Sequence, residues 1–187
     1  NMKKNNDIFA EYLRKISSYF DSPPMIYNIT QEVKVIAFKD QPKVGWTFYF
    51  SFGLSSVHHS KWINSKPELI VAVESYDLSW GITMGEIIDI SCQENLFQYG
   101  DLFYWDMPIS QESKMDSYFL YANSWIDEKD AYIRLSDRYI HFSEMYPIYE
   151  EEKKIIHALG PTNFFLLDEW DRFNVKRKML DVKKFCN

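Results

Sequence analysis

Between Trp46 and Phe52 the chain reads WTFYFSF, and every second residue is a large aromatic. Side chains alternate faces along a strand, so Trp46, Phe48, Phe50 and Phe52 share one side while Thr47, Tyr49 and Ser51 share the other. A face of four rings has to be covered, and helices packed on it are the expected cover. On this reading the hydroxyl face is left for other uses. Gly53 then hands the chain to Ser55, Ser56, His58, His59 and Ser60, a polar stretch that reads as a surface loop.

The rest of the chain supplies the partners such a strand needs. Ile8, Phe9, Tyr12, Leu13, Ile16, Tyr19 and Phe20 recur at helical spacing over residues 6–20, and Asp21-Ser22-Pro23-Pro24 stops them. Strand patterns follow at 25–29, 32–38, 46–53 and 68–74. The last, ELIVAVE, is apolar on both faces and is expected in the centre of the sheet. Ser79 is placed to cap a helix running from Trp80 to about Cys92, where Gly81 and Gly85, one turn apart, let it approach a sheet. Residues 93–116 read as an irregular, aromatic and acidic excursion across the surface. Strands resume at 117–122 and 139–146, with a weaker one at 131–135. A helix is expected from Tyr149 to Leu159, with Glu150, Glu151 and Glu152 in its first turn and Gly160 at its end. A second is expected from Thr162 to about Trp170.

At 187 residues and 46% hydrophobic content the chain suits one core and one domain. A formal charge of -6 opposes a sequence-independent grip on phosphate backbones and fits a basic partner better. Lys176, Arg177, Lys178, Lys183 and Lys184 lie among Asp168, Glu169, Asp171 and Asp181, a mixture that reads as a solvated helical face. Cys92 and Cys186 have no metal spacing and read as free thiols. No stretch reaches the length of a membrane span and no secretory signal pattern opens the sequence, so a cytoplasmic location is expected.

Candidate chemistry is sparse. His58 and His59 could share a metal only in a loop, with Glu74 and Asp77 as partners that spacing does not supply, so no metal site is expected. Asp21 with Glu32 and Lys34 permits a Mg²⁺-dependent nuclease of the PD-(D/E)xK kind. E-x-K triplets also occur at Glu112–Lys114 and Glu151–Lys153, so that pattern is weakly specific. His141 and Glu144, three apart on a strand, point to opposite faces. There is no glycine-rich phosphate loop, nucleophile elbow, HExxH or CxxC, and no cofactor is expected.

Five segments in order carry a resemblance: YFSFGLS at 49–55, PELIVAV at 67–73, Trp80 opening a helix, ENLFQYGD at 94–101, and IHFSEMYPIYEEE at 140–152. Together they resemble the Suppressor of Fused-like domain over residues 7–181. The resemblance implies an α+β fold, a single domain with a mixed, mostly antiparallel twisted sheet flanked by helices, and binding without catalysis. Animal members hold a transcription-factor peptide as an added strand, and many bacterial members look like immunity proteins that neutralise a toxin encoded nearby. Tyr49 matches the tyrosine that the family places near its peptide groove. The acidic residue of the following loop is replaced here by Ser56–Ser60, SVHHS.

The leading expectation is therefore a non-catalytic, cytoplasmic immunity protein, an antitoxin of a polymorphic toxin system, that binds a basic toxin and no nucleic acid. The alternatives are the nuclease and a stand-alone scaffold that binds peptides by strand addition. Exposed rings beside charge are the expected anchors. Two stretches qualify: Tyr49 with His58, His59 and Trp62, and Tyr99, Asp101, Tyr104, Trp105 and Asp106, where the acids Asp101 and Asp106 carry more weight than the rings.

Overall fold

The computed structural model describes residues 2–186, with side chains from residue 6 onward. Helix α1 (Met2–Ser17) leads into four strands, β1 (Met25–Asn28), β2 (Lys34–Lys39), β3 (Thr47–Phe52) and β4 (Lys66–Val73), each antiparallel to its predecessor. Helix α2 (Ser79–Ser91) and the short β5 (Leu102–Tyr104) precede β6 (Ser117–Ala122), β7 (Tyr132–Arg134) and β8 (Tyr139–Ile148). Three short helices close the chain: α3 (Lys153–Leu159), α4 (Pro161–Phe165) and α5 (Val182–Phe185).

Strand order is β1-β2-β3-β4-β8-β6-β5, with β7 added to the start of β8 on the side that β6 takes further along. The β4–β8 pair is parallel and the other pairs among the described strands are antiparallel. This is an α+β fold in a single domain, a mixed and mostly antiparallel sheet flanked by helices.

Alternation sorts the core by face. Tyr49, Leu69, Val71, Val73, Tyr118, Leu120 and Met145 pack with Trp80, Met84, Ile87 and Ile88 of α2. Phe48, Phe50, Phe52, Ile70, Ala72 and Phe142 pack on the opposite face with Ile8, Tyr12 and Ile16 of α1. Farther along that second face Phe119, Tyr146 and Ile148 meet α3, α4 and Trp170.

The expectation for the β3 rings holds, but its hydroxyl face is buried too: every residue of Thr47–Phe52 is buried. Helix α2 lies directly on it. A Cβ at Gly81 would collide with the Tyr49 ring, and one at Gly85 would come within 2.6 Å of Ile29 and 2.7 Å of Val35. The expected close approach is therefore real. The hydroxyls are spent inside the fold: Thr47 donates to the Ser75 carbonyl (2.7 Å), Tyr49 to the Asp77 carbonyl (3.1 Å) and Ser51 to the Glu68 carboxylate (2.5 Å).

The excursion 93–116 is not a passive surface crossing. It contains β5, and Phe97, Phe103, Ile109 and Met115 close over α2 from outside. Glu112 accepts from Ser75 and from the Trp80 indole, and Ser110 donates to Asp77. Ser79 does not cap α2: the N-cap position is Leu78, and the Asp77 carboxylate just before it accepts the Ser79 N–H at 2.9 Å.

The parallel register stops at Ile70 and Glu144, and the two strands separate beyond it. The C-terminal segment fills the seam: the Phe173 carbonyl accepts the Glu74 N–H (3.3 Å), and its ring packs on Trp46, Trp125 and Tyr146. This segment also overturns two expectations. The second late helix ends at Phe165, because Trp170 has to turn back into the core. The basic run is a solvated face only in its lysines: Lys176, Lys178, Lys183 and Lys184 are exposed, the last two on α5, but Arg177 is not. Arg177 is buried against the fully buried Glu152, with two bonds of 2.6 and 2.7 Å. That carboxylate also accepts the Leu180 and Tyr149 N–H groups, so the buried anion is fully partnered, while the Arg177 guanidinium is bonded through its two terminal nitrogens and its buried Nε has no partner among the described residues.

Candidate protein-binding groove

Three segments distant in sequence meet at one end of the sheet. The loop after β3 brings Lys61 and Trp62, the start of the excursion brings Leu96 to Tyr99, and β7 and β8 bring Tyr132, His141 and Ser143. Together they line an open groove of ≈ 580 Å³ on the α2 face of the sheet.

Each wall has a local cause. The Trp62 indole donates to the Leu96 carbonyl (3.2 Å), which ties the loop to the excursion, and the His59 ring lies over it with centroids 5.2 Å apart. Lys66 donates to the Val57 carbonyl (3.1 Å), and Arg138 reaches the Ser56 hydroxyl (3.0 Å). Tyr99 is carried on a tight turn. Gln98 N–H donates to the Asp101 carboxylate (2.8 Å), Asp101 N–H returns to the Gln98 carbonyl (3.0 Å), and Gly100 takes φ +100°. A left-handed φ of that kind is the position where glycine carries no Cβ penalty. On β7, alternation sends Ile133 into the core and leaves Tyr132 outside.

Apart from Lys61 the residues lining the groove carry no formal charge at pH 7. Burial lowers the pKa of His141, which keeps its imidazole neutral at pH 7 with Nδ1 2.8 Å from the Ser65 hydroxyl. Burial, and then Arg138, lowers that of Lys66. Tyr99 and Tyr132 remain 55% and 63% exposed, and Ile63 in the same loop 85%. A ring on a hydrogen-bonded turn, a ring on a strand and an aliphatic side chain at such exposure are what a protein interface needs for its anchors.

The expected site residues divide. Trp62 lines the groove, His59 rests on it, and His58 is exposed in the same loop. Asp101 stands behind the groove, its carboxylate occupied in holding the Tyr99 turn. Asp106 is elsewhere: it accepts from Tyr104 (3.1 Å), which pairs with Ser117 opposite Ile148. Ile148 is five residues along β8 from Ser143, about 17 Å at a strand's rise per residue. Trp105 packs on the α2-side core, while Tyr104 is exposed.

Tyr49 does not face a partner. It is fully buried under Gly81, and burial raises its phenol far above the usual value. Sequence reading missed Tyr132 and His141 as members of the site. The signal available was Tyr132 on the outward side of the weak strand pattern at 131–135.

The nuclease constellation is not assembled. Asp21 follows Phe20, whose ring packs on Phe38 and Phe48, whereas Glu32 precedes the opposite end of β2. The strand steps from Phe38 to Lys34 span about 14 Å, and Glu32 lies two residues beyond the strand's start. His141 lies on the groove side of β8, and Glu144 is fully buried on the other.

The sequence profile of the Suppressor of fused protein (SUFU) family matches residues 30–178. None of the curated proteins compared with the chain matches it. Solved structures share its fold at low identity. A chain of the Sufu-Fu complex crystal structure superposes with a TM-score of 0.61 at 13% identity, over 95% of this chain and 93% of that one. A SUFU homolog from Neisseria gonorrhoeae FA 1090 gives 0.60 at 12%, over 97% and 95%. Drosophila Suppressor of Fused gives 0.53 at 15% over 81% of this chain, which spans only 43% of that longer protein. With 149 consecutive positions under the family profile and the same fold in three solved relatives, the chain belongs to the Suppressor of fused (SUFU) family.

Proposed function

We propose that this chain is a non-catalytic protein-binding domain that acts in the bacterial cytoplasm as an immunity protein, neutralising a toxin encoded beside it by direct contact. The observation that carries the reading is the groove: Trp62, Tyr99 and Tyr132, drawn from three segments, line one concavity of a size a partner's side chains can enter. A relative solved as a Sufu-Fu complex supports a protein partner. The net charge of -6 supports a basic one, since opposite charge speeds encounter even where the contact itself is made by rings.

The test is direct. The purified chain and the product of the neighbouring gene are mixed and titrated by calorimetry. A saturable complex that abolishes the toxin's activity is expected, and failure of the two to associate at micromolar concentration would overturn the immunity reading. In parallel the chain is incubated with DNA and RNA and Mg²⁺ or Mn²⁺, where no cleavage is expected. Cleavage that disappears in Glu32→Ala would restore the nuclease.

A further inference from the structure

A second cavity lies on the opposite face of the sheet from the groove. Tyr19 and Phe20 just after α1, Phe48 of β3, and Trp125 and Ile126 after β6 enclose ≈ 190 Å³ together with Pro42, Asp127 and Asp130. The neighbouring rings on one side of it are set at steep angles rather than stacked. Phe20 meets Phe48 at 5.0 Å and 52°, and Tyr19 stands nearly perpendicular to Phe20, at 74°. The position of Trp125 is fixed by its indole bond to Glu144 (3.0 Å) and by edge-on packing against Trp46.

The face of an aromatic ring carries negative potential and attracts cations. In the same cluster Lys43 already lies over the Trp46 ring, 5.6 Å from its centroid. Asp127 and Asp130, both exposed, stand among the lining residues, and none of those residues is Lys or Arg. Lys129 is 3.8 Å from Asp127, but both side chains are about three-quarters exposed, so water screens that contact and a ligand can displace it. The volume is below the ~300 Å³ at which drug-sized sites begin. It therefore suits one head group rather than a whole small molecule.

We infer that this cavity is a cation cage that takes the head group of an alkylammonium or guanidinium ligand, its charge against the partly exposed rings of Tyr19, Phe20 and Trp125 and facing the carboxylates of Asp127 and Asp130. The same chemistry is presented by a lysine or arginine of a bound protein and by a free organic amine. The inference does not depend on the groove or on the identity of the toxin.

The test is an NMR titration of the isotope-labelled chain, following the assigned Trp125 indole signal. Choline is compared with its uncharged isostere 3,3-dimethyl-1-butanol, and with the capped tripeptides Gly-Lys-Gly and Gly-Arg-Gly. Saturable binding of choline or a tripeptide, about tenfold tighter than the neutral alcohol, is expected. The Asp127→Asn/Asp130→Asn variant is expected to lose about fivefold in that affinity with an unchanged melting temperature, since both side chains are exposed. Tighter binding of the tripeptides would identify a protein side chain as the source, and tighter binding of choline a free amine. Equal binding of the neutral alcohol, no shift of Trp125, or an unaffected double variant would overturn the cage.

Discussion

Strand β3 and the groove are both rich in aromatic residues, and they have opposite fates. On β3, Phe48, Tyr49, Phe50 and Phe52 are all buried, because α1 covers one face and α2 with the excursion covers the other. In the groove Tyr99 and Tyr132 stay more than half exposed: a hydrogen-bonded turn carries Tyr99, strand β7 carries Tyr132, and no residue of α1 or α2 is among those that line the groove. The number of rings in a segment therefore says little about recognition. What separates the two regions is whether another element lies over them, and that is set by tertiary packing.

The largest expected effect lies in the covered region. Phe50→Ala and Tyr49→Ala should each lower stability by about 3–5 kcal/mol, the cost of emptying a large buried site, measured by denaturant unfolding. If Tyr49→Ala proved harmless to stability, the burial of the hydroxyl face would be wrong and the contrast with the groove would collapse. Gly81→Ala comes next. Its new methyl would strike the Tyr49 ring and push α2 off β3, costing about 1–3 kcal/mol. An unchanged melting temperature there would mean that α2 sits farther from the sheet than its contacts with Tyr49 require.

A smaller effect, confined to a pH window, belongs to β8, which serves both regions. His141 and Ser143 line the groove, while Glu144 on the other face is buried among Tyr146, Trp125 and Ser124. Burial pushes the Glu144 pKa up to about 7, against the hydrogen bonds that favour its charge. The unfolded carboxyl releases its proton near 4.5. Between those values the folded chain holds the extra proton, so this group's contribution to stability falls as pH rises from about 4.5 to about 7. Melting temperatures across that range should decline more steeply in the natural chain than in Glu144→Gln. Parallel curves would place Glu144 in wetter surroundings than its full burial indicates.

Much of this contrast was legible in the sequence, and the part that was not has a common physical origin. The alternation of WTFYFSF gave the α1 face of β3 correctly, and Gly81 with Gly85 gave the close approach of α2, because both are local patterns whose period is set by the backbone. What lies over Tyr49 is a helix some thirty residues later, itself sealed by the excursion, and no local period encodes that contact. Arg177 and Glu152 are likewise 25 positions apart, so a buried ion pair looked like surface charge. The groove was half visible, through Trp62 and the Tyr99 segment. Its remaining wall, Tyr132 and His141, comes from strand pairing between β7 and β8. Asp101 carried more weight than the rings beside it, yet its carboxylate is the support of the Tyr99 turn.

The smallest expected effect on stability carries the most weight for function. Tyr99→Ala/Tyr132→Ala removes two exposed rings and should change stability by no more than about 0.5 kcal/mol per site. Binding should respond very differently, since exposed aromatic anchors at an interface are worth about 2 kcal/mol or more each. The decisive measurement is protection of cells that express the toxin of the neighbouring gene, by the natural chain, by this double variant and by Asp106→Asn. The natural chain and Asp106→Asn should restore growth, while the double variant, still folded and at equal abundance, should fail and bind at least tenfold more weakly in calorimetry. Full protection by the double variant would contradict the assignment of the groove as the binding surface.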